Sequence, residues 1–429
     1  MVPAPLPAPA YLAAAGNSGK MAGGKSRMRY RILETLYGPG IRPGDWTVEQ
    51  GAVEEADGLR IAASPRAELW RDDYPHGGGG DVEVSVSLFV ERLAASGSVV
   101  VHFNRSPRKE PSSERGFRVE LSGEAGVREL RAMEGGESLA SVAWEGSSAE
   151  IEHVLTLATL GEEYEIRYGE TVVAAGRMHS PFVDNEGWLE IEATHARLRL
   201  TRVRESAIGH DAPVPSWSRK ELLYRESWEP GDMEDRWVVN AEGDHARPLA
   251  GSGGCVFRHM SNCLLRRPFE GPVAVDYVAR PLEAQGYSAG VTDAIFLWMA
   301  DVSAADVQEG DLADYLEVRT REGKAGLDIL VPHPLYWVDF GGSNNTTTRL
   351  RKNPSRHLMR QYTDPARLLE PGHVYRISTV QIHGFVEFWV DGSPMIRVFD
   401  PHPLTRGHAG VRAFCSDLEL RDLQVWRIE

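Results

Sequence analysis

The chain has 429 residues, a formal net charge of −15 at pH 7 and a hydrophobic content of 42%, which is enough for two domains with cores of their own. The negative charge disfavours nucleic acid as a partner, because phosphate binding relies on a basic surface. No apolar run approaches the roughly 20 residues that span a membrane, so we expect no membrane partner. The three cysteines, Cys255, Cys263 and Cys415, give neither a disulfide framework nor zinc spacing, which favours a cytoplasmic protein.

Residues 1–28 are dominated by Pro, Ala, Gly, Ser and Lys, and they predict a disordered tail or a cloning remnant. The apolar piece at residues 10–15 is too short for a secretory signal and lacks a basic leader. We therefore expect the folded part of the chain to begin at about residue 29.

A faint internal repeat divides the rest of the chain. Residues 81–86 resemble residues 272–277 at an offset of 191 (272 − 81), whereas residues near the two ends match at an offset of 222 (420 − 198). The change in offset indicates an additional segment in the second copy. We predict a first domain over residues 29–207, a linker rich in Pro and small residues over 208–218, and a second domain over 219–429.

Both halves have the pattern of an all-β fold. Short branched or aromatic runs recur, such as residues 99–103, 375–380 and 386–390, and the last is followed by an Asp-Gly hairpin turn. Long helical periodicity is almost absent. The sequence therefore predicts two tandem β-sandwiches of the jelly-roll type.

The densest group of chemically useful side chains lies at residues 336–352, inside the additional segment of the second copy. Amide, hydroxyl, aromatic and guanidinium groups together suit a saccharide that carries carboxylates. Five cations and no acid lie between residues 349 and 362, which predicts a clamp for a carboxylate; the alternative is a solvated loop. The expected saccharide-binding residues are Trp337, Asn344, Asn345, Thr347 and Arg351, with Arg258 and His259 from a second polar cluster.

Histidine and tyrosine side chains near this group could move protons to or from a sugar. The candidates for catalysis are His333, Tyr336, His357 and Tyr362, with Arg349 to neutralise a substrate carboxylate. No signature of paired glucanase carboxylates is present, although Asp293 and Glu317 could form such a pair in a hydrolase.

An acidic segment at residues 301–318 carries six Asp and Glu residues without a Lys or Arg. Oxygen-rich loops of this kind could bind a structural calcium ion, and the alternative is a solvated acidic loop. Neither the binding nor the cleavage of a saccharide by these side chains requires an organic cofactor.

The second half, from about residue 222 to 429, resembles the YesU-like proteins. The resemblance rests on the residues at 344–351, 370–375, 388–392 and 399–412. That group has concanavalin A-like jelly-roll domains of the lectin and glucanase type and is found beside genes for pectin and other uronate polysaccharides. The resemblance implies a carbohydrate-active role with a glycan in a concave groove, and it assigns no catalytic residue.

Three functions agree with these features. The first is a lyase that cleaves a uronic-acid-containing poly- or oligosaccharide by β-elimination, which uses the groups of residues 336–352 without paired acids. The second is a glycoside hydrolase on the same fold. The third is a non-catalytic, lectin-like protein that binds carbohydrate.

Overall fold

The computed structural model describes residues 28, 30–37, 46–49, 52–55, 59–63, 66–71, 81–105, 116–123, 129–134, 136–144, 150–161, 163–178, 188–210, 213–229, 233–251, 253–284, 290–301, 312–323, 326, 329–354 and 356–429. Of the predicted tail at residues 1–28, residues 1–27 lie outside these ranges, and Met28 donates a backbone hydrogen bond to Glu165 Oε2 at 2.7 Å. Within them, the chain has an all-β fold of the jelly-roll type, as predicted. None of the helices in these ranges is long and apolar enough to cross a membrane.

The first half forms one continuous antiparallel sheet in the ranges described. Its strands are β1 (Tyr30–Tyr37), β2 (Trp46–Glu49), β3 (Ala52–Glu55), β4 (Leu59–Ala62), β5 (Arg66–Arg71), β6 (Val82–Arg105), β7 (Phe117–Ser122), β8 (Glu129–Glu134), β9 (Glu137–Ala143), β10 (Glu152–Leu160), β11 (Glu163–Tyr168), β12 (Thr171–Arg177) and β13 (Trp188–His210). Buried side chains alternate with more exposed ones along β4 and β7, and one core cluster joins residues from both parts of β6. The sheet therefore folds over on itself.

The long strands β6 and β13 make this fold possible, because they pair along almost their whole length. The first part of β6 also pairs with β10, and its second part pairs with β7, so each long strand serves both layers. Gly97 lies at the change of layer, where a Cβ atom would come within 2.9 Å of the carbonyl oxygen of His195. Only glycine allows the two backbones to approach this closely.

The second half is a sandwich of two antiparallel sheets. The back sheet contains β14 (Arg219–Arg225), β16 (Leu249–Gly251), β17 (Gly254–Phe257), β20 (Val273–Glu283), β25 (Tyr375–Ile382), β26 (Phe385–Val390), β27 (Ser393–Phe399) and β29 (Ser416–Ile428). The front sheet contains β15 (Trp237–Ala241), β18 (Ser261–Leu265), β19 (Phe269–Glu270), β21 (Ala294–Ala300), β22 (Leu335–Gly341), β23 (Thr347–Asn353), β24 (His357–Tyr362) and β28 (Arg406–Ala413).

Helical segments are short in this half. They are α1 (Met233–Arg236), α2 (Leu312–Arg321) and the 3₁₀ turns Asp244–Ala246 and Pro365–Arg367. A four-residue turn, Gly342–Asn345, joins β22 to β23 and has left-handed dihedral angles at Ser343 and Asn344. Aromatic side chains from both sheets, including Tyr277 and Phe388 of the back sheet and Phe296 and Trp298 of the front sheet, fill the core between them.

One part of the predicted linker belongs to strand β13, and another part packs against the back sheet of the second half. β13 ends at His210, so residues 208–210 belong to the first half. Trp217 packs edge-on against Trp389 and donates a hydrogen bond from Nε1 to Glu387 Oε2 at 3.0 Å. The segment at 213–218 is therefore attached to the back sheet through Trp217.

The two halves contact each other directly through β24. Arg360 is buried and donates hydrogen bonds to the carbonyl oxygens of Asp81 (3.1 Å) and Ile208 (2.7 Å). The ring of His210 packs edge-on against Phe399, with 5.2 Å between the ring centroids. A guanidinium group that is buried against carbonyls of the other half fixes the two halves at this point.

We expect the protein to lose stability as the pH rises from about 4 to about 7, and Asp81 to be one source of the loss. Burial raises the pKa of the Asp81 carboxyl to about 7, so the folded chain holds a proton that the unfolded chain releases near its usual pKa. Asp81→Asn should make the free energy of unfolding less dependent on pH between 5 and 8 in urea titrations. Asp244→Asn, at an exposed position, serves as the control; an equal effect of both variants would contradict this prediction.

Candidate functional site

Several loops of the second half meet at one end of the front sheet. β18 and β21 begin there, at Ser261 and Ala294, and β22 and β28 end there, at Gly341 and Ala413. We call this end the rim, and define it as residues 258–260, 290–293, 342–346 and 414–416. The rim joins Arg258 and His259 to Asn344 and Asn345, four residues that are far apart in sequence.

The backbone of the rim is held in unusual conformations. Six of the thirteen non-glycine residues with positive φ in the described ranges lie here: Met260, Asp293, Ser343, Asn344, Asn345 and Cys415, with φ between 49° and 66°. Each such residue costs about 1–2 kcal/mol relative to a right-handed conformation. Residues of this kind persist where the surroundings enforce them, and they cluster at functional sites.

Side-chain hydrogen bonds to backbone groups of the protein fix the turn Gly342–Asn345. The Asn345 side chain donates to the carbonyl oxygen of Leu369 (2.8 Å) and accepts from its N–H (2.9 Å), and the buried Thr347 hydroxyl donates to the Gly342 carbonyl (3.2 Å). Asn345 and Thr347 therefore fix the turn, in contrast to the saccharide-binding role predicted for them. Asn344, at the tip of the turn, is exposed.

A pair of carboxyl groups lies directly behind the turn. Asp339 is ion-paired with Arg349 through Oδ2 and Nη2, and Asp293 is hydrogen-bonded to Asp339 and to Thr292 Oγ1 (2.5 Å). All three charged residues are at most 9% exposed. Burial first, and then the neighbouring charge of Asp339, raise the pKa of Asp293 to about 7. Asp293 can therefore give up or take a proton near neutral pH.

This pair differs from the pair expected from the sequence. Glu317, predicted as the partner of Asp293, forms ion pairs with Arg266 and Arg321. The partner is Asp339, because the antiparallel register of β21 and β22 places Ile295 opposite Asp339. Asp339 lies within the polar residues 336–352, and this position was the one sequence signal that could have marked it as a site residue.

The residues predicted to transfer protons lie elsewhere. Tyr336 is fully buried, donates to Asp400 Oδ2 (2.5 Å) and has a pKa raised far above its usual value by burial. His333 is fully buried beside Tyr315, with 4.4 Å between the ring centroids. Neither side chain reaches solvent, so neither can contact a saccharide in this structure.

The two other predicted proton carriers belong to β24. Tyr362 is 8% exposed and lies under the guanidinium of Arg367, which is 3.8 Å from the ring centroid. His357 begins β24 opposite Lys352, at the end of the front sheet away from the rim. The structure therefore does not bring either of them to Asp293.

The predicted carboxylate clamp is not open to solvent. Arg349 is ion-paired with Asp339, Arg360 binds carbonyls of the first half, and Lys352 Nζ lies 2.7 Å from Asp400 Oδ2. Arg351 is 4% exposed, and its guanidinium lies 5.1 Å from the ring centroid of Trp337, which is 3% exposed. Folding therefore pairs or buries four of the five cations in the predicted clamp, and the fifth, Arg356, is partly exposed.

The predicted residues Arg258 and His259 do lie on the rim, and both are partly exposed. Arg258 Nη1 donates to the carbonyl of His245 (3.2 Å), and His259 Nδ1 accepts from the N–H of Cys415 (2.8 Å). Burial lowers the pKa of His259, so at neutral pH the ring is uncharged and carries its proton on Nε2.

The predicted calcium site falls mostly outside the described residues, because residues 302–311 belong to the undescribed part of the chain. In the ranges that the structure describes, no group of three or more His, Cys, Asp or Glu side chains could hold a metal ion. A pocket of about 330 Å³ beside Gln381 and Phe399 lies at the opposite end of the sandwich and contains none of the predicted site residues.

Residues 262–423 match the family model "Domain of unknown function (DUF6250)", which spans most of the second half. No curated protein matches the chain. The match adds no activity, and it includes Asp293, Asp339 and Arg349. The matching family model is not that of the YesU-like proteins, so the resemblance to them stays a prediction.

Solved structures give distant likenesses. A protein of unknown function with a galectin-like fold from Bacillus subtilis is 18% identical, over 50% of this chain and 99% of that chain, with a TM-score of 0.35. The carbohydrate recognition domain of Emp46p in its potassium-bound form is 13% identical, over 40% and 91%, with a TM-score of 0.32. The carbohydrate binding module CBM66 from Bacillus subtilis is 12% identical, over 38% and 95%, with a TM-score of 0.29. Scores this low carry no argument about the ligand of this chain.

Proposed function

We propose that the protein is carbohydrate-active, binds a saccharide at the rim and cleaves it with Asp293 as the acid. The observation that carries this proposal is the carboxyl pair of Asp293 and Asp339, set behind a strained loop end. A structural ion pair needs only Asp339 and Arg349. The additional carboxyl of Asp293, with a pKa near neutrality, is what a general acid requires.

The surrounding groups suit a sugar. The exposed Asn344 amide donates and accepts hydrogen bonds, and the uncharged ring of His259 lies on the same rim. Neither group is charged, so both match hydroxyl groups as well as a carboxylate. Burial and then the negative charge of Asp339 favour the protonated form of Asp293, and the charge of Arg349 offsets this in part.

The reaction that we propose is β-elimination beside a uronate, with hydrolysis as the alternative. In β-elimination the C5 proton of the uronate passes to a water molecule and the bond from C4 to the glycosidic oxygen breaks. Asp293 protonates that leaving oxygen and then regains a proton from solvent. In hydrolysis the same acid protonates the glycosidic oxygen. The role of Asp293 as an acid is common to both reactions.

Incubation of the purified protein with polygalacturonate, alginate and neutral glycans tests the proposal. Ultraviolet absorbance from an unsaturated uronate product would identify β-elimination. New reducing ends without that absorbance would identify hydrolysis. If calorimetry shows binding but neither product forms, the protein is lectin-like. The absence of both binding and product would contradict a carbohydrate-active role.

The lectin-like function is the second candidate, favoured by the exposed amide at the tip of the rim turn. We expect Asn344→Ala to weaken saccharide binding about tenfold, because one hydrogen bond to the ligand is lost. Asn344→Gly removes the same amide but suits the φ of 59° better, so it should weaken binding equally while the free energy of unfolding is maintained or increased. Unchanged affinity in both variants, measured by calorimetry, would place the site elsewhere.

A further inference from the structure

We propose that the outer face of the front sheet is a covered saccharide groove that continues from the rim, and that α2 is the lid over it. This inference rests on the saccharide-binding function proposed above. It extends the site from the rim to a face that α2 occupies in this structure.

The outer face carries an unbroken polar row across the sheet. The cross-strand registers place six residues side by side, namely Asn240, Asn262, Arg412, Ile295, Asp339 and Arg349. Five of the six have amide, guanidinium or carboxyl side chains, and this row includes the carboxyl that contacts Asp293. Polar groups that converge on one face are typical of a ligand site and rare in a protein core.

One buried polar atom on this face, the donor Trp337 Nε1, has no hydrogen-bond partner in the part of the chain that the structure describes, and Trp337 is 3% exposed. An unmatched buried donor is costly, and native proteins keep few of them. A saccharide hydroxyl accepts hydrogen bonds as well as donating them, so a sugar on this face could satisfy this donor.

The cover over this face is lightly attached. Of the α2 side chains described, Leu316 is buried, whereas Val318 is 48% exposed. Leu316 packs in one cluster with Leu297 and Trp337 of the face below. Tyr315 of α2 also packs against this cluster and lies 4.4 Å from the ring of His333, measured between centroids. Two polar contacts add to these: Glu317 is ion-paired with Arg266, and Asn240 Nδ2 donates to Thr320 Oγ1 at 2.9 Å.

A short helix that is held by a buried leucine, a partly buried tyrosine and a few polar contacts belongs to the less stable parts of a fold. α2 can therefore open without unfolding the sandwich. When a binding-competent state is only partly populated, the apparent dissociation constant is the intrinsic constant divided by the open fraction. A substitution that destabilises the closed position of α2 should then increase the affinity for the saccharide. If α2 were instead part of the binding site, the same substitution would lower that affinity.

The test compares Leu316→Ala with Val318→Ala, an exposed position on the same helix. The probes are short oligosaccharides prepared from polygalacturonate and from alginate, and affinity is measured by calorimetry on the full chain. We expect Leu316→Ala to bind about fivefold more tightly than the wild type, and Val318→Ala to bind like the wild type. Amide hydrogen exchange in α2 should become faster when the probe binds to the wild type.

Thr320→Val supplies a second variant if Leu316→Ala fails to fold, because it removes the acceptor for Asn240 without a large loss of packing. Slower exchange in α2 on binding, or unchanged or weaker affinity in the folded variants, would overturn the lid. If such binding still depends on Asn344, the rim function stands without the lid. No binding of any probe to any variant would overturn both.

Discussion

Asp293→Asn is expected to lower the rate of glycan cleavage by about a hundredfold or more while the affinity for the saccharide changes little. Asparagine keeps the shape and the hydrogen-bonding capacity of a protonated aspartic acid, but it has no proton to transfer. Loss of a general acid typically costs a factor of about 10²–10⁴. The measurement is kcat on the polysaccharide cleaved by the wild type, with affinity determined separately by calorimetry.

The pH profile gives the same prediction an independent check. An acid with a pKa of about 7 is active on the acidic side of that value, so the wild-type rate should fall as the pH rises through about 7. The residual activity of Asp293→Asn should lack this fall. Asp364→Asn, at an exposed position, should keep both the rate and the profile of the wild type. A fully active Asp293→Asn variant would remove Asp293 from the mechanism.

Asp339→Ala is expected to lower the free energy of unfolding by about 3–5 kcal/mol. The side chains of Asp339 and Arg349 are 4% and 9% exposed, so the alanine variant would leave the buried guanidinium group without the carboxylate that pairs with it. Removal of one partner of a buried ion pair has an effect of about this size, since the remaining ion keeps its desolvation penalty. Urea denaturation at pH 7 measures the change.

A matched surface pair separates this effect from the simple loss of a contact. Arg219 and Asp276 form a two-pronged ion pair in which the side chains are 39% and 23% exposed. Asp276→Ala should cost about 1 kcal/mol or less, since water screens this pair. The double variant Asp339→Leu, Arg349→Met should recover much of the loss, because it buries no charge. Equal losses at Asp339 and Asp276 would show that burial does not decide the strength of the pair.

The sequence was sufficient to predict the all-β fold, because alternation and turn residues are local signals. The runs at 375–380 and 386–390 lie within β25 and β26, and the Asp-Gly dipeptide turns the chain into β27, as the pattern indicates. Arg258, His259 and Asn344 were each selected as saccharide ligands from the sequence, whereas their common position at one end of a sheet depends on the strand order, which no local pattern specifies.

The sequence did not predict which aromatic side chains are buried or which carboxyl groups lie in contact. Tyr336 and Trp337 are neighbours on β22 and point to opposite faces, so alternation suggests that one of them is exposed. Both are buried, because α2 packs on the outer face and covers Trp337. Likewise, the contact between Asp293 and Asp339 depends on the register of β21 and β22, which no local pattern specifies.

The long pairing of β6 with β13 has a consequence for how the protein is made. The paired residues are between 83 and 125 positions apart in the chain (188 − 105 and 207 − 82), and both layers of the first half depend on this one pairing. Neither layer can be completed on the ribosome until the last residues of β13 have been synthesised. Such non-local topologies fold slowly and expose unpaired strand edges meanwhile, so the first half should be the step that limits folding yield when the protein is expressed.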